Sequence, residues 1–245
     1  MGYRISLAVF CLAVATPCIR ANDDAREVVR RAVQAHGGEK NLAKTLTGRI
    51  KAEMSGELGE IRMRVQDEET FQLPPSYKRV VEGEVAGQKG RLEYAFTDGN
   101  GWLRRDGGPA QAFAGQKLPL ERHWHTMPAL LPGLLGAGYE LSPIPGAQSD
   151  GRQVSGVRVK GEQGTVDLFF DASTGLLARS KRSMQLPLGN REVEGDIAYS
   201  DYKDVAGVKY PMKITVSAGG KKLIDVRVIE VQFLERVDPA TFAKP

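Results

Sequence analysis

Three histidines, two cysteines and a scatter of carboxylates are the residues from which any chemistry would have to be built. The triplet His123-Trp124-His125 would put two imidazoles on one side of an extended segment, a spacing that suits two of three zinc ligands. A third ligand would have to come from His36 or a distant carboxylate, and Pro119 and Pro128 argue against a regular strand across the triplet. A His-dependent metalloenzyme is therefore carried only as an alternative. Asp167 and Asp171 flank Leu168-Phe169-Phe170, while Asp201 and Asp204 stand where an Asx side chain would cap a bend. There is no Gly-x-Ser-x-Gly elbow, and Gly99-x-Gly101 lacks the third glycine and following helix of a phosphate-cradling loop. The expectation is a protein without catalytic residues, metal or cofactor.

Both cysteines, Cys11 and Cys18, fall in a leader-like segment. Residues 1–21 carry Arg4, an apolar run over residues 5–15, then Pro17 and Ala21 before Asp23-Asp24. Such a run is about half of what a membrane-spanning helix needs, so the segment reads as a cleaved signal peptide and the protein as exported to the periplasm. Anchoring of a lipoprotein through Cys18 is the minor alternative. Cleavage would leave residues 22–245 as one domain without a thiol, which excludes disulfides and thiolate catalysis. It would also remove Arg4 and Arg20 from 34 basic residues against 30 acidic ones, lowering the net charge from +4 to +2 and with it any case for nucleic acid.

The elements that would position these residues follow from periodicity. Residues 22–36 read as a helix capped by Asn22 or Asp23, with Val28, Val29, Ala32, Val33 and His36 on one stripe and Gly37-Gly38 ending it. From about residue 47 the period falls to two: Ile61, Met63 and Val65 alternate with Glu60, Arg62 and Arg64, and Tyr210, Met212, Ile214 and Val216 alternate with polar residues. Strands with one wet face and closely spaced Gly and Asx turns predict an antiparallel meander of about ten strands. Residues 223–234 change apolar parity near Val228 and Ile229, as a bulge or a doubly buried strand would. Residues 109–146 break the rhythm: Phe113, Trp124, Leu130 and Leu134 are interrupted by Pro119, Pro128, Pro132, Pro143 and Pro145. Short helical pieces joined by kinks are expected there, as a lid or plug over the sheet or as a simple cover for one sheet face.

Three stretches together resemble the outer-membrane lipoprotein-sorting proteins of the LolA/LolB-like superfamily. They are residues 170–177 (FDASTGLL), residues 199–211 (YSDYKDVAGVKYP) and the tail Phe242-Ala243-Lys244-Pro245, joined by the helix end Ala35-His36-Gly37-Gly38 and by Asp98-Gly99-Asn100-Gly101-Trp102. The resemblance implies a mainly β (α+β) fold: a curved antiparallel sheet forming an incomplete β-barrel, with an N-terminal helix and a helical lid over an apolar cavity. It implies a periplasmic binding protein that shields lipoprotein acyl chains or another lipid. An envelope sensor or interaction module with a membrane-protein partner is the alternative on the same fold. A monomer is expected. Trp102, Phe113, Trp124, Leu130 and Leu134, apolar residues on or beside the insertion, are the candidate lining of the cavity.

Overall fold

The computed structural model describes residues 24–74, 76–114, 127–149, 151–162, 164–185 and 192–245. The leader-like segment, His123, Trp124 and His125 lie outside the described residues. In chain order the elements are α1 (Ala25–Ala35), α2 (Glu39–Lys44), β1 (Thr47–Leu58), β2 (Ile61–Gln72), β3 (Ser76–Val85), β4 (Gln88–Thr97), β5 (Asn100–Arg105), β6 (Gln111–Ala114) and α3 (Met127–Leu130). A 3-10 turn (Leu131–Leu135) follows, then β7 (Glu140–Ile144), β8 (Gln148–Ser149), β9 (Arg152–Gly161), β10 (Gly164–Asp171), β11 (Leu177–Gln185), β12 (Glu192–Val205), β13 (Val208–Ala218) and β14 (Lys221–Phe233).

The N-terminal helix is held by its ends. Asp24, rather than the two residues before it, caps α1, its carboxylate accepting from the Arg26 amide at 3.0 Å. The predicted apolar stripe, Val28, Val29, Ala32, Val33 and His36, is buried in full.

The strands form one curved antiparallel sheet in the order β6-β5-β4-β3-β2-β1-β14-β13-β12-β11-β10-β9-β7, with β8 beside β9. Apart from the β1–β14 pairing, every neighbour on this path before β9 is also a neighbour in sequence, as short hairpin turns require. The sheet is not closed: β6 and β7 are its two edges, and they are successive in the chain. The fourteen strands among the described residues exceed the expected ten or so because the segments read as insertion and loop contribute β6, β7 and β8, of four, five and two residues. Pro143 is tolerated in β7 because an edge strand has no second partner to donate to. The parity change in β14 is a bulge: Lys51 faces Glu230 and Ala52 faces Val228, leaving Ile229 unpaired and 48% exposed.

The proline-broken segment does form short helical pieces. Met127, Pro128 and Ala129 of α3 and Leu131 and Leu134 of the 3-10 turn are buried, and α1 packs on this turn and on β7 and β9. Together with α1 and α2 these pieces cover one face of the sheet, here called the inner face. Arg26 of α1 donates to the Leu135 carbonyl, tying helix to cover.

Three of the sequence stretches that carried the family resemblance, the helix end, residues 170–177 and residues 199–211, meet at one point. His36 ends α1 with its Nδ1 2.8 Å from the Ala32 carbonyl, and its Nε2 faces the Leu177 amide at 3.4 Å. Tyr202 packs edge-on to the imidazole and donates to the Leu177 carbonyl at 2.6 Å. The Lys209 amide donates to the His36 carbonyl at 3.0 Å. Gly37, at φ +122°, lies so close to the β12–β13 turn that a Cβ would stand 2.2 Å from the Gly207 carbonyl oxygen. Gly37→Ala is accordingly expected to cost about 2 kcal/mol, read as a lower urea midpoint at unchanged slope.

Candidate functional site

Alternation along the strands divides the sheet into two unlike faces. Met54 of β1, Val65 of β2, Ile197 of β12, Ile214 and Val216 of β13 and Val226 of β14 point inward and join α1, α3 and the 3-10 turn in a first apolar cluster. A second cluster, richer in rings, gathers Ile50, Phe71, Tyr77, Phe96, Tyr210 and Val228, with Phe113 and Phe233 packed against it. Phe96 and Phe113 meet edge to face at 4.9 Å between ring centres.

Between the clusters lies an ionic group that the sequence reading did not single out. Asp67 and Glu69 of β2 and Arg79 of β3 share the inward parity of Val65, Phe71, Tyr77 and Val81. Arg79 grips Asp67 with two bonds, Nε to Oδ1 at 2.7 Å and Nη2 to Oδ2 at 2.8 Å, and its Nε is 3.7 Å from Glu69. Nη1 donates to the Tyr94 hydroxyl at 3.4 Å and Nη2 approaches Met54 Sδ at 3.2 Å. Burial works against the Arg79 charge, but Asp67 and the neighbouring tyrosines more than offset it and hold the guanidinium charged. Burial, reinforced by Glu69, pushes the hydroxyls of Tyr77 and Tyr210 well above the usual tyrosine range, so both stay protonated. The signal for this group was in the alternation: continuing the parity of Met63 and Val65 puts two carboxylates on the apolar face.

The opposite face holds a wide, charged cleft of about 1070 Å³ at the hairpin ends of β1–β2 and β3–β4, reached also by Lys222 and Asp225 of β14. Five cations and five carboxylates line it. Arg91 pairs with Glu82 at 2.6 Å, Lys222 with Asp225 at 2.6 Å and Arg62 with Glu57 at 3.4 Å. Arg64, Glu84 and Lys89 stand in one cross-strand row beside them. This cleft is polar and charge-balanced, unlike the apolar cavity expected.

The four described candidates are not brought to one lining. Leu134 is buried in the first cluster, Leu130 is half-buried at the end of α3, and Phe113 belongs with the second cluster. Trp102 pairs with Ala95, between Tyr94 and Phe96 of the inner face, and so points to the other side. There its Nε1 donates to the Phe242 carbonyl at 2.9 Å beneath the C-terminal tail, with Lys78 and Arg104 over the ring. Trp124 lies outside the described residues. Removing residues 237–245 is expected to expose Trp102, shifting its emission to the red in a Trp124→Phe background; unchanged emission would contradict the contact.

His36, considered as a third metal ligand, has both ring nitrogens engaged by backbone groups. Among the described residues no group of three His, Cys, Asp or Glu gathers as a metal site, and no helix is long and apolar enough to cross a membrane. His123 and His125 lie outside the described residues.

A single curved, unclosed antiparallel sheet with a helical cover over one face defines the class. The chain has the fold of the LolA superfamily. It superposes on a LolA superfamily protein from Nitrosomonas europaea with a TM-score of 0.60 at 9% identity, covering 90% of this chain and 97% of that one. A DUF1329 family protein from Desulfovibrio piger matches with a TM-score of 0.60 at 12% identity over 91% and 98% of the two chains. A domain assigned as an outer membrane lipoprotein-sorting protein from Vibrio parahaemolyticus matches at 0.53 and 10% identity, over 90% and 96%. No family model matches the sequence, and no curated protein sequence does.

Proposed function

We propose that the chain is an exported, periplasmic, non-enzymatic binding protein that holds lipoprotein acyl chains or another lipid between the inner face of its sheet and the helical cover. Residues 1–21 act as the signal peptide and residues 22–245 as one binding domain. The observation that carries this reading is the way the apolar face is closed. A sheet that paired β6 with β7 would seal its interior by hydrogen bonds; here the interior is covered by α1, α2 and the short apolar pieces of residues 127–135, which contain Pro128 and Pro132. Such a cover is held largely by apolar packing, which an acyl chain can replace in kind at about 0.8 kcal/mol per buried CH₂. Leu130 and Leu134 on the cover are the proposed contacts, with Phe113 beyond them at the ring-rich end. Leu130, half-buried, is the position to probe: Leu130→Asp should weaken binding of a fluorescent fatty acid about tenfold or more while the circular dichroism stays native. Equal affinity in the folded variant would contradict the reading.

An interaction module on the same fold is the second reading, favoured by the charged cleft on the opposite face. It requires a protein partner that binds when the interior holds no lipid, and loses affinity when Arg64 and Lys89 are both replaced by Glu.

A further inference from the structure

The ionic group on the inner face has a place in the fold that acyl binding alone does not call for. Along β2, Val65 belongs to the first apolar cluster and Phe71 to the second, and the two residues of the same parity between them are Asp67 and Glu69. Along β3, Tyr77 belongs to the second cluster and Val81 packs on the first, with Arg79 between them. The three charges thus form a seam along which the two clusters meet on these strands. The Asp67 side chain is fully buried and that of Arg79 is 16% exposed, so neither can retreat to water. A methylene that crosses the seam lies against a carboxylate and a guanidinium committed to each other, and gains little of what it gains against Val65 or Val81. With two carboxylates against one guanidinium the seam also disfavours an anionic head, so the methyl end of a chain is what abuts it.

We propose that the Asp67–Glu69–Arg79 seam sets the length of acyl chain this protein accepts, by stopping a chain that lies along the first cluster at the border of the ring-rich second cluster. The proposal rests on the acyl-binding reading above.

The test is a titration of wild-type protein and of Asp67→Leu/Glu69→Gln/Arg79→Met with a homologous series of saturated fatty acids from decanoic to eicosanoic acid. Wild type should gain about fourfold in affinity per added methylene up to a break, then nothing. The triple variant, in which all three charges are replaced at once, should carry the rise on to longer chains. If that variant does not fold, Asp67→Asn/Glu69→Gln/Arg79→Gln, which removes the same three charges at nearly unchanged size, replaces it, with the break again expected at a longer chain. The same break in wild type and folded variant overturns the seam's role while leaving acyl binding intact. Wild type that binds no member of the series overturns the acyl reading and the seam's role with it.

Discussion

Arg79→Met should lower the unfolding free energy by about 3–5 kcal/mol, because it leaves the Asp67 carboxylate buried without its bidentate partner. The loss is larger than the deleted contacts suggest. Among the described residues, taking Asp67 out of water is repaid by the two guanidinium bonds at 2.7 and 2.8 Å, and its side chain has no exposed surface. Replacing the group as a whole, Asp67→Leu/Glu69→Gln/Arg79→Met, should recover most of the loss, since the charges that need compensation leave together. Urea unfolding of the three proteins decides: a single variant as stable as wild type would mean that the pair is solvated in solution, contrary to its buried geometry. The contrast also fixes the interpretation of the chain-length experiment, because only a folded triple variant isolates the seam's effect on the ligand.

Acidification should destabilise the protein through His36 by about 3 kcal/mol. Burial holds this imidazole down to about 4 from its ordinary 6.5, against the opposing pull of the Ala32 carbonyl. Nδ1–H donates to that carbonyl, and Nε2 must stay bare to accept from the Leu177 amide. A proton on Nε2 would face the Leu177 N–H. The folded state therefore resists the proton that the unfolded chain takes up. The contribution is whole above pH 6.5, falls as pH drops from 6.5 towards 4, and levels off below that. At about 1.4 kcal/mol per pH unit this window gives the stated loss. Carboxylates titrate nearby, so the measurement is the difference in pH dependence between wild type and His36→Gln. A difference that does not change between pH 7 and pH 4 would show that His36 is not buried neutral.

These two sites also show what the sequence could and could not reveal. Of the residues that carried the resemblance, His36-Gly37-Gly38, the turn before Leu177, Tyr202 and the Gly207 turn converge where α1 docks onto the sheet, while Trp102 and the tail meet on the other face. They are recognisable because close backbone approach and bent chain leave few residue choices, and for the same reason they define a fold and say little about a ligand. The alternation of Met63 and Val65 with their arginine neighbours gave the strand and its faces directly. It also contained Asp67 and Glu69 on the apolar side, yet a carboxylate on that parity acquires meaning only when Arg79 arrives from the next strand. Trp102 stands beside the insertion in sequence, but its direction is set by register with Ala95 across the β4–β5 hairpin and by the distant tail that lies over it. The short strands β6 and β7 were hidden because an edge of four or five residues shows too few periods to stand out beside prolines.

The central claim, that an acyl chain occupies the space between inner face and cover, is tested most directly by native mass spectrometry of the exported protein with extraction of whatever accompanies it. The account predicts a population whose excess mass is matched by an extracted acylated molecule, lost on delipidation and regained on adding a lipopeptide. Protein that flies at the bare mass of its chain, and takes up neither fatty acid nor lipopeptide when they are supplied, would contradict it.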